Sequence, residues 1–216
     1  MNLKGKIVWL TGASSGIGEA LVKALAKEGA KLVLSARREQ ELQAVANNAQ
    51  LATGSYMILP LDLADQSNFE AKKNEVMAKF GRIDVVINNG GISQRSLAKD
   101  TSLDVDRKLM EVNYFGTVGI SKVVLPHMLA QKDGMLVSIS SAVGKFGSPW
   151  RSGYSASKHA LHGFFDSLRA EVYNDNVRAL IVCPGFIQTN VSKNALTGTG
   201  EKLGTMDTAT ENGLTA

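Results

Sequence analysis

Tyr154 and Lys158 stand four residues apart in the stretch Trp150-Arg-Ser-Gly-Tyr-Ser-Ala-Ser-Lys-His-Ala-Leu161. On a helix that spacing stacks the two side chains on one face. An ammonium beside a phenol favours the phenolate, lowering a tyrosine pKa from about 10 toward neutrality. Such a tyrosine can give a proton to a developing alkoxide, or take one from an alcohol. Taken alone, the pair fits better an ordinary amphipathic helix whose lysine snorkels to solvent. The two readings separate on whether other elements bring a cofactor and polar partners to the same place.

The N-terminal stretch supplies the first such element. Lys6-Ile-Val-Trp-Leu10 is an apolar run of the kind that forms a buried parallel strand. Thr11-Gly-Ala-Ser-Ser-Gly-Ile-Gly18 follows, then apolar residues at helical spacing from Glu19 to Glu28, then a second strand, Lys31-Leu-Val-Leu-Ser35. Glycines between a strand and a helix allow a tight turn and close approach of backbone to phosphate, with the helix N-terminus facing the pyrophosphate. Gly12, Ser14, Ser15, Gly16, Ile17 and Gly18 are therefore candidate cofactor contacts. The bland alternative is a plain glycine-rich turn.

The alternation continues down the chain. Helical spacing covers Arg38 to Gln50, Gln66 to Phe80 (closed by Gly81) and Ser152 to Tyr173. A longer helical region spans Leu103 to Leu129, with interruptions expected near Gly116 and Gly119. Strands are expected at Tyr56–Leu59, Asp84–Asn88, Gly134–Ser140 and Val177–Val182. Six strands alternating with helices predict an α/β fold, a doubly wound, Rossmann-type parallel sheet in three αβα layers. Ligands bind such sheets beyond the carboxyl ends of the strands. The glycine turn, Asp62, Asn88-Asn89, the serines near 140 and Pro184-Gly185 all fall at those ends, and that agreement favours the proton-transfer reading of Tyr154 and Lys158.

Composition narrows the class. The 216 residues are 44% hydrophobic and 20% charged, typical of one globular domain. A net charge of +4, with basic residues scattered singly or in pairs, does not make a nucleic-acid groove. The single Cys183 rules out an internal disulfide framework and fits a reducing compartment. No signal-peptide core or bilayer-length apolar run is present, so a cytoplasmic location with no membrane partner is expected. No metal is expected: His159 and His162 share a helix without a third ligand, and His127 and Cys183 have no ligand partners in the pattern. Residues 1–193 are expected to form the cofactor-binding and catalytic domain. The Thr/Gly-rich residues 194–216 read as a mobile loop or a partial substrate lid.

Together these landmarks resemble the short-chain dehydrogenase/reductase family, from about Lys6 to Thr189. Thr11 to Gly18 is similar to the family's cofactor turn. Asp62 matches the position whose carboxylate meets the adenine, with Leu63 beside it, and Asn88-Asn-Gly-Gly91 stands where the family has Asn-Asn-Ala-Gly. The resemblance implies that Asn89 and Gly90 touch the cofactor. Asn113, Ser141, Tyr154 and Lys158 match the family's catalytic four. Ser138 and Ser140 are local rivals of Ser141 on strand alternation, and the family's spacing of thirteen residues to the tyrosine favours Ser141. The resemblance further implies that Pro184, Gly185, Ile187 and Thr189 wrap the nicotinamide. It also implies that Lys158 holds the nicotinamide ribose, and that Asn113 supports a water linking Lys158 to solvent. Leu-Ser-Ala-Arg-Arg38 and Tyr154 to Arg169 are similar to a subgroup of carbonyl reductases acting on steroids, retinoids and xenobiotic ketones.

The expected activity is interconversion of a small-molecule carbonyl and a secondary alcohol. NADP(H) is the expected cofactor, because the second strand ends without an acid and runs into Arg37-Arg38. Arg37 lies nineteen residues after Gly18, where an NAD enzyme would place a carboxylate on the ribose 2′-hydroxyl. Ser35 is a further candidate donor to a 2′-phosphate. The alternatives are a 3-oxoacyl-carrier-protein reductase with the same four residues, and a non-catalytic nucleotide sensor on the same fold. Family members continue into a lid, a helix and a seventh strand, so truncation after Ala216 is expected. The sixth strand would then be an open edge, and the family's homodimer or homotetramer would depend on the missing part.

Overall fold

A computed structural model describes residues 2–216. Six strands form one sheet: β1 (Ile7–Thr11), β2 (Lys31–Ser35), β3 (Tyr56–Ile58), β4 (Val85–Asn88), β5 (Gly134–Ile139) and β6 (Val177–Val182). Their order is β3-β2-β1-β4-β5-β6, and every pair is parallel. The chain builds outward from β1 to β3 and then returns to place β4 on the other side of β1. The switch point therefore opens between the carboxyl ends of β1 and β4, the place where a doubly wound sheet receives its ligand.

Helices cover both faces, which is why the central strands are apolar on both sides. Helices α1 (Gly16–Lys27) and α2 (Glu39–Asn48) pack Val22, Leu25, Leu42 and Val45 against Val8, Leu10, Leu32 and Leu34. On the opposite face α3 (Phe69–Phe80), α5 (Gly116–Gln131) and α6 (Ser152–Glu171) pack Phe69, Ile120, Met128 and Phe165 against Trp9, Val33, Val86 and Leu136. Trp9 is fully buried, and its indole Nε1 donates to Ser35 Oγ at 2.9 Å. That contact joins β1 to β2 just below the glycine turn.

Two expectations change. The long helical region is interrupted just before Gly116, by a π turn and not by a break, and Gly119 does not interrupt it. Helix α4 (Leu103–Met110) passes through a π turn at Glu111–Phe115 into α5. Gly116 opens α5 and Gly119 lies inside it; a Cβ at these positions would come within 2.6 Å of the Leu63 carbonyl oxygen and 2.9 Å of the Phe69 ring. Close packing, not a break, is their reason. The last stretch is also more than a loose loop. Leu196 exchanges backbone hydrogen bonds with the segment after β4, donating to Ser93 O at 2.8 Å and accepting from Arg95 N at 2.9 Å. Further on, Leu214 pairs with the segment after β6, and the short helix α7 (Thr208–Glu211) lies between. These fixings are isolated bridges and leave no period in the sequence. Strand β6 is an edge, with Leu180 and Val182 exposed. Among the described residues no helix is long and apolar enough to cross a membrane.

Candidate active site

A cleft of about 660 Å³ runs along the carboxyl ends of the strands, from Arg37 to Tyr154. Its floor is the turn after β1. Gly12 and Gly16 take φ of +65° and +56°, which only glycine adopts at little cost. A Cβ on Gly18 would lie 2.0 Å from the Gly12 carbonyl oxygen, so this position closes the turn onto its own helix. Ser15 is the N-cap residue of α1, and its side chain makes no capping bond. The helix start therefore faces the cleft with its N–H groups and hydroxyl uncommitted, as an anion requires. Such a backbone cradle fits a dinucleotide's pyrophosphate.

Thr11 and Asn89 brace this turn. The Thr11 hydroxyl accepts from Asn89 N at 3.1 Å and Gly90 N at 3.0 Å. Asn89 Nδ2 donates to the carbonyls of Thr11 and Gly12, both at 3.1 Å. The Asn89 amide thus ties β4 to β1. Gly90 is likewise fixed by contact, since a Cβ there would meet Leu63 Cδ1 at 2.6 Å. Asp62 accepts from Ala64 N at 3.0 Å in a local turn and lines the cleft beside Leu63. The two arginines after β2 part company. Arg38 opens α2 and pairs with Glu41, whereas Arg37 lines the cleft with no ion-pair partner among the described residues. Ser35 is buried, and its hydroxyl accepts from Trp9 Nε1 while keeping its own O–H to donate toward the cleft it lines. Pro184, Gly185, Ile187 and Thr189 line the far wall. Pro184 O accepts from Ala142 N at 2.9 Å, and the Thr189 methyl closes on Gly16.

At the other end lie Ser141, Tyr154 and Lys158. Gln94 sets the start of α6: its Oε1 accepts from Gly153 N at 2.9 Å and Tyr154 N at 3.3 Å. That cap is needed because the N-cap residue, Arg151, has no acceptor of its own. Lys158 Nζ donates to Ile139 O at 2.8 Å and stands 5.8 Å from the centre of the Tyr154 ring. Burial lowers its pKa to about 8. Tyr154 departs from the sequence-based expectation. Burial raises its pKa, and the opposing influences are a hydrogen bond with Ser141 and the charges of Arg95 and Arg151. The Lys158 ammonium turns to the Ile139 carbonyl, and the desolvation of the phenol outweighs what lowers it.

The serine rivals separate by partner. Ser140 Oγ lies 3.1 Å from His162 Nε2 and 3.3 Å from Lys158 O, committed to α6. Ser138 is fully buried within β5, beside Asn88 of β4 and Ile181 of β6. Ser141 caps a short turn, accepting from Val143 N at 3.4 Å, and faces Tyr154. Asn113 sits in the π turn, fully buried and away from the cleft wall. Its Oδ1 accepts from Ile92 N at 2.8 Å, and its Nδ2 donates to Ile92 O and Ser157 Oγ, both at 2.9 Å. Both side-chain donors are used, so it braces the segment after β4 against α6. Thr11, Gln94, Arg95, Arg151 and Asp207 were not singled out from sequence. Only the missing cap residue before Ser152 signalled any of them.

Residues 6–199 match the profile of the short chain dehydrogenase family. The chain belongs to the short-chain dehydrogenase/reductase family. It is 51% identical over 217 residues to a dehydrogenase/reductase SDR family protein 7-like of Anopheles gambiae, covering 98% of this chain and 68% of the relative. It is 50% identical over 201 residues to human dehydrogenase/reductase SDR family member 7, covering 91% of this chain and 59% of that protein. Among solved structures, a short chain dehydrogenase/reductase from Burkholderia phymatum in complex with NAD superposes with a TM-score of 0.84. The two are 26% identical, over 89% of this chain and 69% of that one. The family is one of oxidoreductases, and the parallel sheet flanked by helices matches that of its solved members.

Proposed function

We propose that this chain carries an NADP(H)-dependent oxidoreductase site that interconverts a small-molecule carbonyl and a secondary alcohol. The observation that carries the reading is the meeting of Tyr154, Ser141 and buried Lys158 at one end of a cleft whose floor is the glycine turn. Gly12, Ser14, Ser15, Gly16, Ile17 and Gly18 would hold the pyrophosphate, Arg37 the 2′-phosphate and Asp62 the adenine. Leu63, Asn89 and Gly90 would line the cofactor between the adenine and the glycine turn, and Pro184, Gly185, Ile187 and Thr189 would wall the nicotinamide. Arg38, engaged by Glu41, would act at longer range. The bound cofactor supplies or removes the hydride.

The chain's own residues handle the proton. Ser141 orients the substrate oxygen by hydrogen bonding, and Tyr154 gives that oxygen a proton in reduction or takes one in oxidation. A phenol that desolvation keeps protonated is suited to the donor role. Lys158, protonated near neutral pH with a pKa of about 8, compensates the tyrosinate left behind. Asn113 fixes the geometry between them. Residues 1–193 provide both halves of the site, and residues 194–216 act as part of its lid.

Turnover of graded ketones with NADPH, in wild type and Tyr154→Phe, tests this. Losing the hydroxyl while keeping the ring should lower kcat about 10²–10⁴-fold. NADPH affinity, measured on the same preparation, should stay within about twofold. Retained turnover would overturn the role of Tyr154. Reduction of acyl-carrier-protein thioesters in preference to free ketones would favour the 3-oxoacyl reductase alternative.

A further inference from the structure

The reacting end of the cleft is more basic than proton transfer requires. Among the described residues the lining holds one acid, Asp62, which follows β3 at the far edge of the sheet. Arg95, Arg151 and Lys202 line the cleft as well, and the two arginines lie near enough to act on the Tyr154 phenol. They do so in different states.

Arg95 is a fastener. Its Nε and Nη2 reach Asp207 Oδ2 at 3.2 and 2.7 Å, and Nη2 also donates to Ser192 Oγ at 3.1 Å. Its Nη1 donates to Ser93 Oγ and Gln94 O, both at 2.8 Å. All five donors of the guanidinium are committed, and Asp207 neutralises its charge. Together they pin the segment carrying Ser192 and Asp207 over the cleft.

Arg151 is left with donors to spare. It makes one side-chain hydrogen bond, Nη1 to Ser148 Oγ at 3.1 Å. Its nearest carboxylate oxygen, Asp207 Oδ2, is 3.8 Å away and already held by Arg95 and Ser192. Yet its side chain is only 15% exposed, above the Phe186 ring and on the cleft wall. The backbone that aims it is held firmly. Trp150, the preceding residue, takes φ of +68°, a costly conformation for a bulky side chain. Ser96 N donates to Trp150 O at 3.0 Å and secures it. A mostly buried guanidinium with unclaimed N–H groups is costly to leave unpartnered.

We propose that Arg151 is a specificity-determining residue that receives a carboxylate carried by the substrate near its reacting carbonyl. Its planar fork matches a carboxylate in a two-bond contact, which a lysine would not reproduce. The substrate class is then oxo acids, with the charged end beside Arg151 and the carbonyl at Tyr154 and Ser141. This rests on the oxidoreductase reading above.

Matched neutral and anionic ketones test it: phenylglyoxylate and benzoylpropionate against their methyl esters, with NADPH. Wild type should favour the acids in kcat/KM by at least about tenfold. Arg151→Met should lower kcat/KM for the acids about ten- to a hundred-fold, mostly through KM, as expected for a lost charge-assisted contact. The esters should change by less than about threefold, and Arg151→Lys should recover part of the loss. Ester preference in wild type, or an equal loss on acid and ester, would overturn the proposal. Calorimetric binding of the same compounds to the NADPH-loaded protein reads the contrast without turnover. Acid binding that depends on Arg151, with no reduction of any ketone, would support this contact while sinking the oxidoreductase reading. Acid and ester binding alike would sink the contact.

Discussion

Replacing Lys158 by methionine should make the cofactor-free protein more stable at neutral pH while abolishing turnover. Burial depresses the Lys158 pKa from 10.5 to about 8. At about 1.4 kcal/mol per unit, a shift of this size corresponds to a penalty of about 3 kcal/mol for holding the ammonium inside. The bond from Nζ to Ile139 O offsets about 1–2 kcal/mol of that. Methionine fills a similar volume without charge, so the net gain near pH 7 is about 1–2 kcal/mol. The pH dependence fixes the sign. Between pH 8 and 10.5 the unfolded chain binds more protons at this residue than the folded one, so wild-type stability rises with pH across that window. The penalty is complete below pH 8 and gone above 10.5, where only the lost hydrogen bond counts against the variant. Its advantage should therefore shrink through this window and reverse. Urea unfolding of both proteins at several pH values measures the difference, in which other titrating groups largely cancel. A difference that stays flat with pH, or a less stable variant at pH 7, would refute the reasoning.

The cofactor end yields two more expectations. Ala36→Asp with Arg37→Ala should weaken NADPH by about ten- to a hundred-fold and spare NADH, because the free guanidinium is replaced by a carboxylate that repels a 2′-phosphate. Equal wild-type affinity for the two cofactors would mean that Arg37 does not read the phosphate. Gly18→Ala should cost about 1–3 kcal/mol or more and lower NADPH affinity, since the new methyl meets backbone that cannot yield, 2.0 Å from Gly12 O. A variant with wild-type Tm and affinity would contradict that.

The sheet was legible because its buried parallel strands are unbroken apolar runs between glycines and prolines. The cleft followed because its polar residues cluster at the carboxyl ends of those runs. Helix α1 was placed too late, at Glu19 instead of Gly16, since glycines that open a helix look like turn residues. The π turn at Asn113 has no signature of its own, and the nearby glycines suggested a break where contacts with Leu63 and Phe69 demanded a missing side chain. The response of Tyr154 to burial could not be read from its spacing to Lys158, because desolvation depends on everything packed around the ring. The Arg95–Asp207 contact joins residues 112 positions apart, and no local pattern announces such a pair.

The chain's two tryptophans make the molecule its own optical instrument. Trp9 is sealed in the central strand with its indole hydrogen-bonded to Ser35, while Trp150 is 55% exposed beside Arg151. Emission from the intact protein therefore combines a blue component from the sheet and a red one from the exposed ring next to Arg151. Iodide or acrylamide reaches the second and not the first. Melting of the core moves the blue component, whereas an anion arriving at Arg151 alters the red one alone. Folding and ligand arrival can thus be followed separately in one unlabelled sample.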